Sequence, residues 1–386
     1  MKKILCLVLS MVLSTALSFA SCGNKKPFDM TPFEEFEEAK GVVYTGLFGT
    51  EETTVKLANG MGSVEIRTTS EVADDVICTT VERIIIASAV IEDDILTLSG
   101  KKYVTYMSEK YSGTGAEKYI ADEIAEAESD MAEHPEGKLY YKNRIAVLKG
   151  EEPLWDRGDG SKLSIRYEIK VSLNDENKSC RVLKYSLEYY GGFINDLQKQ
   201  KRIFEYEYAS DGKLLKSSTY HINRVAIPVG ETANGVNFTT FYADGKTVKT
   251  EENFILNVDG DGNYEIGDQN DLYEYREDGT QERITVWNRN SISDGSGLVT
   301  IVPGGSGIGV YIPGDPLTKD YYKNVYEFDD KENLITASGY DNQDSIKESF
   351  KITYDENGNM VSKEQYDADG NVISTVEYDE EGNEIN

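Results

Sequence analysis

Apolar and polar residues alternate with a period of two through much of the chain. Over 162–173, Leu163, Ile165, Tyr167, Ile169 and Val171 fall on one side and Ser164, Arg166, Glu168 and Lys170 on the other. One-sided alternation predicts antiparallel strands with one wet face. Segments 181–190 and 202–208 read the same way. Upstream, 42–48, 53–57, 62–68, 76–88 and 95–98 are rich in β-branched residues and end at Gly or Asp-Asp turns, so they are predicted strands as well.

The period changes twice. Thr31-Pro32-Phe33-Glu34 is a helix-start signal, with Thr31 as cap, Pro32 where a missing N–H is harmless, and Glu34 closing a capping box. Phe33 and Phe36 share a face of that short helix, and Gly41 is expected to end it. Over 114–133, Ala116, Ile120, Ile124, Ala127 and Met131 recur at three- and four-residue steps behind a second box, Thr114 with Glu117. That spacing predicts an amphipathic helix with an acidic outer face, closed by His134-Pro135 and packed across a sheet. The strand pattern is expected to return from Lys138.

The C-terminus repeats at a step of twelve residues. Tyr354-Asp355-Glu356-Asn357-Gly358-Asn359 recurs as Tyr366-Asp367-Ala368-Asp369-Gly370-Asn371 and as Tyr378-Asp379-Glu380-Glu381-Gly382-Asn383. Partial copies run from Tyr208 to Gly212, Phe241 to Gly245 and Tyr275 to Gly279. Tyr326-Glu327-Phe328-Asp329 keeps the aromatic and the acid but has Glu332 at the glycine position. In each unit the aromatic ends a strand, acids and Asn favour a turn, and Gly supplies the positive φ that closes it. The pattern resembles the YD repeats of the Rhs family, over about half the chain from Ile203 onward. In that family long arrays form hollow shells around a toxin or extracellular binding surfaces. With few, unevenly spaced units the resemblance implies an extracellular β-sheet module rather than a shell. Convergent Asp-Gly hairpins without kinship predict the same local structure.

The first 21 residues read as an address. Lys2 and Lys3 precede an apolar run, Ile4 to Leu17, and then the small residues Ala20-Ser21. This is the layout of a secretory signal, with an apolar core shorter than the roughly 20 residues of a bilayer span. Phe19-Ala20-Ser21-Cys22 resembles the lipobox of bacterial lipoproteins, with Phe19 where that family usually has Leu. The resemblance implies a diacylglyceryl thioether on Cys22 and cleavage before it. Two acyl chains make a stable anchor. The expected location is the extracytoplasmic face of a cell membrane, with Gly23 to Pro27 as a polar tether.

Charge narrows the partners. The formal net charge is −29 and becomes −31 once Lys2 and Lys3 leave with the signal. Such a chain repels nucleic acid phosphates and favours cations and cationic ligands. The 26 tyrosines suit strands with one wet face. Of the four cysteines, Cys78 and Cys180 remain after signal cleavage and lipidation. Export permits a disulfide, but both lie in strand-like apolar runs, where buried free thiols are expected.

Candidate chemistry is sparse. Asn257, Asp259, Asp261, Asn263 and Asp268 resemble an EF-hand calcium loop, with Gly262 at the sharp turn. Asn opens that loop and Asp closes it where Glu is usual, and the flanks read as strand, so a wide acidic hairpin turn is the competing reading. Arg157-Gly158-Asp159 reads as a turn before an adhesion motif. The glycine-rich 295–309 stretch lacks a phosphate-loop ending and reads as a hairpin or bulged edge. Two histidines, His134 and His221, with no Gly-x-Ser-x-Gly, give no hydrolase triad.

The expected fold is α+β and predominantly antiparallel β. After the signal (1–21) and tether (22–30), an N-terminal sheet carrying one amphipathic helix is expected over 31–200. A hairpin meander follows over 201–386. The expected function is a non-catalytic, membrane-anchored binding or interaction module for an extracytoplasmic protein or glycan, with no cofactor other than the calcium just described. The alternatives are a carboxylate-dependent hydrolase of envelope glycans and a carrier holding an apolar ligand between sheet and helix.

Overall fold

The computed structural model describes residues 28–156, 164–190, 199–223, 234–259, 263–287, 316–317, 321–379 and 381–385. It is mostly antiparallel β structure with three helices. The chain divides between Tyr206 and Glu207 into two compact units, with Asn223 returning to the first.

In the first unit, β1 (Val42–Phe48), β2 (Glu51–Ala58), β3 (Met61–Ala73) and β4 (Val76–Ile86) form an antiparallel meander. It continues through β7 (Tyr103–Ser112) to β8 (Leu154–Asp156). A second run joins β5 (Ala89–Glu92), β6 (Ile95–Gly100), β9 (Ser164–Asn174), β10 (Ser179–Tyr190) and β11 (Lys199–Tyr208). The two runs meet where β1 pairs with β10 in parallel, over 45–48 and 179–182. That crossing needs Gly46, because a Cβ there would fall 1.6 Å from the Cys180 carbonyl oxygen. Val55, Val64 and Ile84 from one run pack with Leu96, Ile169 and Val182 from the other in a single core. The alternation expected around 165–171 holds, with Tyr167, Ile169 and Val171 buried and Arg166 and Lys170 exposed. Cys78 and Cys180 are buried and are not joined by a disulfide.

Helix α1 (Thr31–Glu38) buries Phe33 and Phe36 against Met61, Ile85 and Val104, on the sheet face opposite that core. The Lys56 ammonium donates to the carbonyls of Phe36 and Glu37, 2.9 Å each, and neutralises the helix C-terminus. Neither expected capping box forms. Met30 is already helical at the α1 N-cap, and the Thr31 N–H donates to the Asp29 carboxylate. Helix α2 (Ala116–Glu133) starts from Gly115 without a side-chain cap, and the Thr114 hydroxyl turns to Asp75.

The strand expected after Lys138 is instead a helix, α3 (Lys138–Leu148), so the described residues of the first unit hold three helices where the short helix at Thr31 and one amphipathic helix were expected. A 3-10 turn, Pro135–Gly137, reverses the chain so that α3 packs back on α2. Arg144 then reaches Glu109 on β7 at 2.6 Å and Glu123 on α2 at 3.1 Å. Val147 and Leu148 are buried. These contacts override the strand preference of Tyr140-Tyr141 and Ile145-Ala146-Val147. Among the described residues no helix is long and apolar enough to cross a membrane.

The second unit is one antiparallel succession. It runs β12 (Leu214–Asn223), β13 (Gly235–Phe241), β14 (Val248–Val258), β15 (Tyr264–Tyr275) and β16 (Gln281–Trp287). It goes on through β17 (Lys323–Phe328), β18 (Leu334–Tyr340), β19 (Ile346–Tyr354), β20 (Met360–Tyr366), β21 (Val372–Tyr378) and β22 (Glu384–Ile385). Its core joins Ile284, Val286, Tyr326, Leu334, Ala337 and Ile352 on one face.

Candidate functional site

The repeat residues build a turn of fixed geometry. The Asp355 N–H donates to the Asn359 carbonyl at 2.9 Å, and Gly358 follows at φ +86°. One Asp355 carboxylate oxygen accepts the N–H groups of Asn357 and Asn359, and the other accepts the Asn359 side-chain amide. The same bonds recur at Asp367 with Asn371, around Gly370, and at Asp379 with Asn383, around Gly382. Tyr354, Tyr366 and Tyr378 end the preceding strands. These bonds hold the Asp355, Asp367 and Asp379 carboxyls below their ordinary range.

Two turns extend the array beyond the glycine pattern. Glu332 stands at φ +65° where other units have Gly, within the Asp329–Asn333 turn. The turn at 341–345 is a unit that the glycine criterion misses. Asp341 caps it, and Asp344 takes the left-handed position at φ +59°. Asp and Asn enter that region more readily than other L-residues, so the usable signal is Tyr340-Asp341, twelve positions after Phe328-Asp329.

The calcium-loop residues fall on a hairpin of the same kind. Asn257 lies in β14 opposite Glu265, and Asp268 lies inside β15. The Asp259 carboxylate accepts both the backbone and side-chain N–H of Asn263, 2.9 Å each, as in the other turns. Asp261 lies outside the described residues, as do Cys22, the 157–159 tripeptide and the 295–309 stretch. Among the described residues, no three His, Cys, Asp or Glu side chains are grouped to hold a metal.

A different constellation forms on the core-bearing face of β13 to β17. Register places Asn237, Asn253, Asp271, Val286 and Asn324 in one row across five strands. The next row on the same face is Thr239, Glu251, Tyr273, Ile284 and Tyr326. Val286, Ile284 and Tyr326 belong to the core, so the β16 and β17 end of this face is shielded from water.

The polar members are wired in sequence. The Thr239 hydroxyl donates to the Asn237 carbonyl oxygen at 2.9 Å, and the Asn237 amide donates to Asn253 at 3.1 Å. The Asn253 amide then donates to the Asp271 carboxylate at 2.5 Å. An ionised carboxylate only accepts, which fixes the direction of the relay. On the adjacent row the Tyr275 hydroxyl donates to Glu251 at 2.8 Å. Glu251 and Asp271 are diagonal neighbours, roughly 7–8 Å apart between Cα atoms.

Burial dominates the electrostatics. It pushes the Asp271 carboxyl up to about 6, with the Asn253 bond opposing and the nearby Glu251 charge adding to the rise. Burial also raises Glu251 against the Tyr275 bond. Both Tyr273 and Tyr275 are pushed up by burial and by these two carboxyls. Across Val286 from Asp271, Asn324 is 6% exposed and its side-chain oxygen has no hydrogen-bond partner. The buried groups here are all acceptors: Asp271 takes a bond from Asn253 and Glu251 one from Tyr275, while the Asn324 oxygen has no donor. None of these residues stands in a sequence motif. The trace they leave is a polar residue at every second position of β14 and β15, and only register shows that those positions meet.

No family model matches the chain, and no curated protein matches it. Among solved structures, a porin-like protein from Bacteroides uniformis aligns at 9% identity with a TM-score of 0.12. The alignment covers 59% of this chain and 89% of that one, a likeness too slight to carry an inference about fold or function.

Proposed function

We propose that the chain is a membrane-anchored, extracytoplasmic binding module that performs no covalent chemistry on its partner. The observation that carries this reading is the acceptor-rich row on β13 to β17. Its carboxyls are held by fixed amide and hydroxyl donors on a sheet, and among the described residues no activated nucleophile accompanies them. The sequence supports the location: a basic start, a short apolar core and Cys22 in a lipobox-like setting. The hairpin array supplies a stiff scaffold of the kind that recognition surfaces use.

The rival reading is a glycan hydrolase, favoured by one observation. Asp271 and Glu251 form a carboxyl pair with Asp271 poised near neutrality, as general acid catalysis requires.

The test has two arms. Cys22→Ser should move the protein from the membrane pellet to the soluble fraction, and mass spectrometry should find a diacylglyceryl group on the mature wild-type N-terminus. Purified chain mixed with envelope glycan should co-sediment without releasing reducing ends. Continued sedimentation of Cys22→Ser would end the anchor. Release of reducing ends that Asp271→Asn abolishes would replace binding by hydrolysis.

A further inference from the structure

The row around Asp271 has an unusual balance. A buried carboxyl commonly faces a lysine or arginine of the same protein. Here neither the Asp271 row nor the Glu251 row contains a basic residue on β13 to β17. Lys249, two positions before Glu251, is instead held over the Tyr242 ring, 6.0 Å from its centre. The second, independent observation is Asn324. Its side-chain oxygen is buried without a partner on the same face and at the same level as Asp271. A buried acceptor without a donor is unfavourable by about 1–3 kcal/mol, so it marks a place where a donor is missing.

We infer that this face is a ligand site for a cationic amine that carries a second hydrogen-bond donor. The ammonium sits between Asp271 and Glu251, and the second N–H or O–H reaches the Asn324 oxygen across Val286. Asp271 and Asn324 are two strands apart, roughly 9–10 Å. That spacing excludes a lone ammonium ion as the full occupant. It suits an extended molecule with polar ends and an apolar middle, which rests on Val286. Asn237, Asn253, Glu251 and Tyr273 are only half-buried, so the row is open to solvent from the β14 side. The net charge of −29 concentrates cations around the whole molecule, and the row adds selectivity to that attraction.

Amino sugars and aliphatic polyamines share this chemistry. The inference rests on the binding-module reading and gives it a ligand class.

Calorimetry on the full chain at fixed physiological salt tests it with three probes: a glucosamine trimer, its fully N-acetylated counterpart, and spermidine. At least one amine should bind ten or more times more tightly than the acetylated trimer, and which one does identifies the source. Asp271→Asn should abolish that preference. Asn324→Leu should weaken the amine at least threefold. Urea midpoints of both variants should be no lower than wild type, so that lost binding is not lost folding.

Equal affinity for charged and acetylated probes overturns the inference. So does a charge preference that survives in Asp271→Asn, because overall charge then explains it. If no amine binds but envelope material still co-sediments, the ligand class falls and the binding-module reading stands. Asp271-dependent release of reducing ends removes that reading instead.

Discussion

The Arg276 guanidinium donates a hydrogen bond to the backbone carbonyl of Asp329, 3.0 Å away and 53 residues later in the chain. The same group also bonds the Phe328 carbonyl. Arg276 and Asp329 belong to turns at the same end of the second sheet, and the pattern extends along that end. Lys213 donates to the Ala243 carbonyl, Tyr242 to Tyr275, and Lys331 to Glu356. Four successive turns at that end are thus each tied to the next by one side chain reaching a backbone oxygen.

The forked geometry of arginine matters at the first of these ties. Arg276→Ala removes the donor from three carbonyls at once, those of Gln281, Phe328 and Asp329, and should lower the stability of the second unit by about 1–3 kcal/mol. Arg276→Lys should recover less than half of that, because an ammonium cannot repeat the fork. Urea unfolding followed by Trp287 fluorescence in a Trp155→Phe background checks both values. Equal midpoints for wild type and Arg276→Ala would show that the tie contributes nothing.

The Asp-Asn turn makes a sharper prediction. Asp355→Ala leaves two backbone N–H groups and the Asn359 amide without their carboxylate and should lower the urea midpoint of the second unit. Gly358→Ala meets no steric neighbour, so its effect is confined to the left-handed backbone, about 1–2 kcal/mol. The two residues act within one turn. The double variant should therefore fall short of the sum of the singles, which a double-mutant cycle measures directly.

Much of this architecture is legible in the sequence, and the gaps have physical causes. Strand β1 spans the expected 42–48, because its β-branched run is bounded by glycine on both sides. The three Tyr-Asp-Gly-Asn units are readable because one turn imposes one set of residue types. The 341–345 turn escapes because Asp344 does the work of glycine. Helix α3 escapes because its stability lies in Arg144 and in contacts with α2, which no local window contains. The Asp271 row escapes for a similar reason. Asn253, Asp271 and Asn324 are ordinary strand residues until pairing aligns them, and bulges in β14 and β15 shift the register that would have to be guessed.

Arg144 is the joint between helices and sheet in the first unit. Its guanidinium bonds Glu109, Glu123 and the Tyr111 hydroxyl, and its side chain is 22% exposed. Removing one partner of a buried ionic network leaves the others uncompensated, at about 3–5 kcal/mol. Partial exposure reduces this, and Arg144→Met should destabilise the first unit by about 2–3 kcal/mol. Trp155 packs edge-on to Tyr140 of α3, 5.7 Å between ring centres, and reports on this region. Fluorescence unfolding of a Trp287→Phe background should show the loss. Adding Glu109→Gln to Arg144→Met should restore part of it, since the stranded charge is then gone.

Stability should fall as pH rises through the Asp271 titration. The folded protein holds this carboxyl at about 6, against an ordinary value of 3.8, because burial disfavours the charge. Between those values the native state binds more protons than the unfolded chain, so stability decreases with rising pH. The contribution is complete below pH 3.8, fades through pH 6, and amounts to a loss on the order of 3 kcal/mol above it. Asp271→Asn keeps an acceptor for Asn253 and removes the charge. It should flatten this slope and raise the urea midpoint at pH 7.5, while leaving stability at pH 4 nearly unchanged. A variant that is more stable at neutral pH would mean that wild type retains a carboxylate there at the expense of its fold, as a site reserved for a charged ligand would. If the slope between pH 4 and 7 is the same with and without Asp271, this carboxyl does not control it.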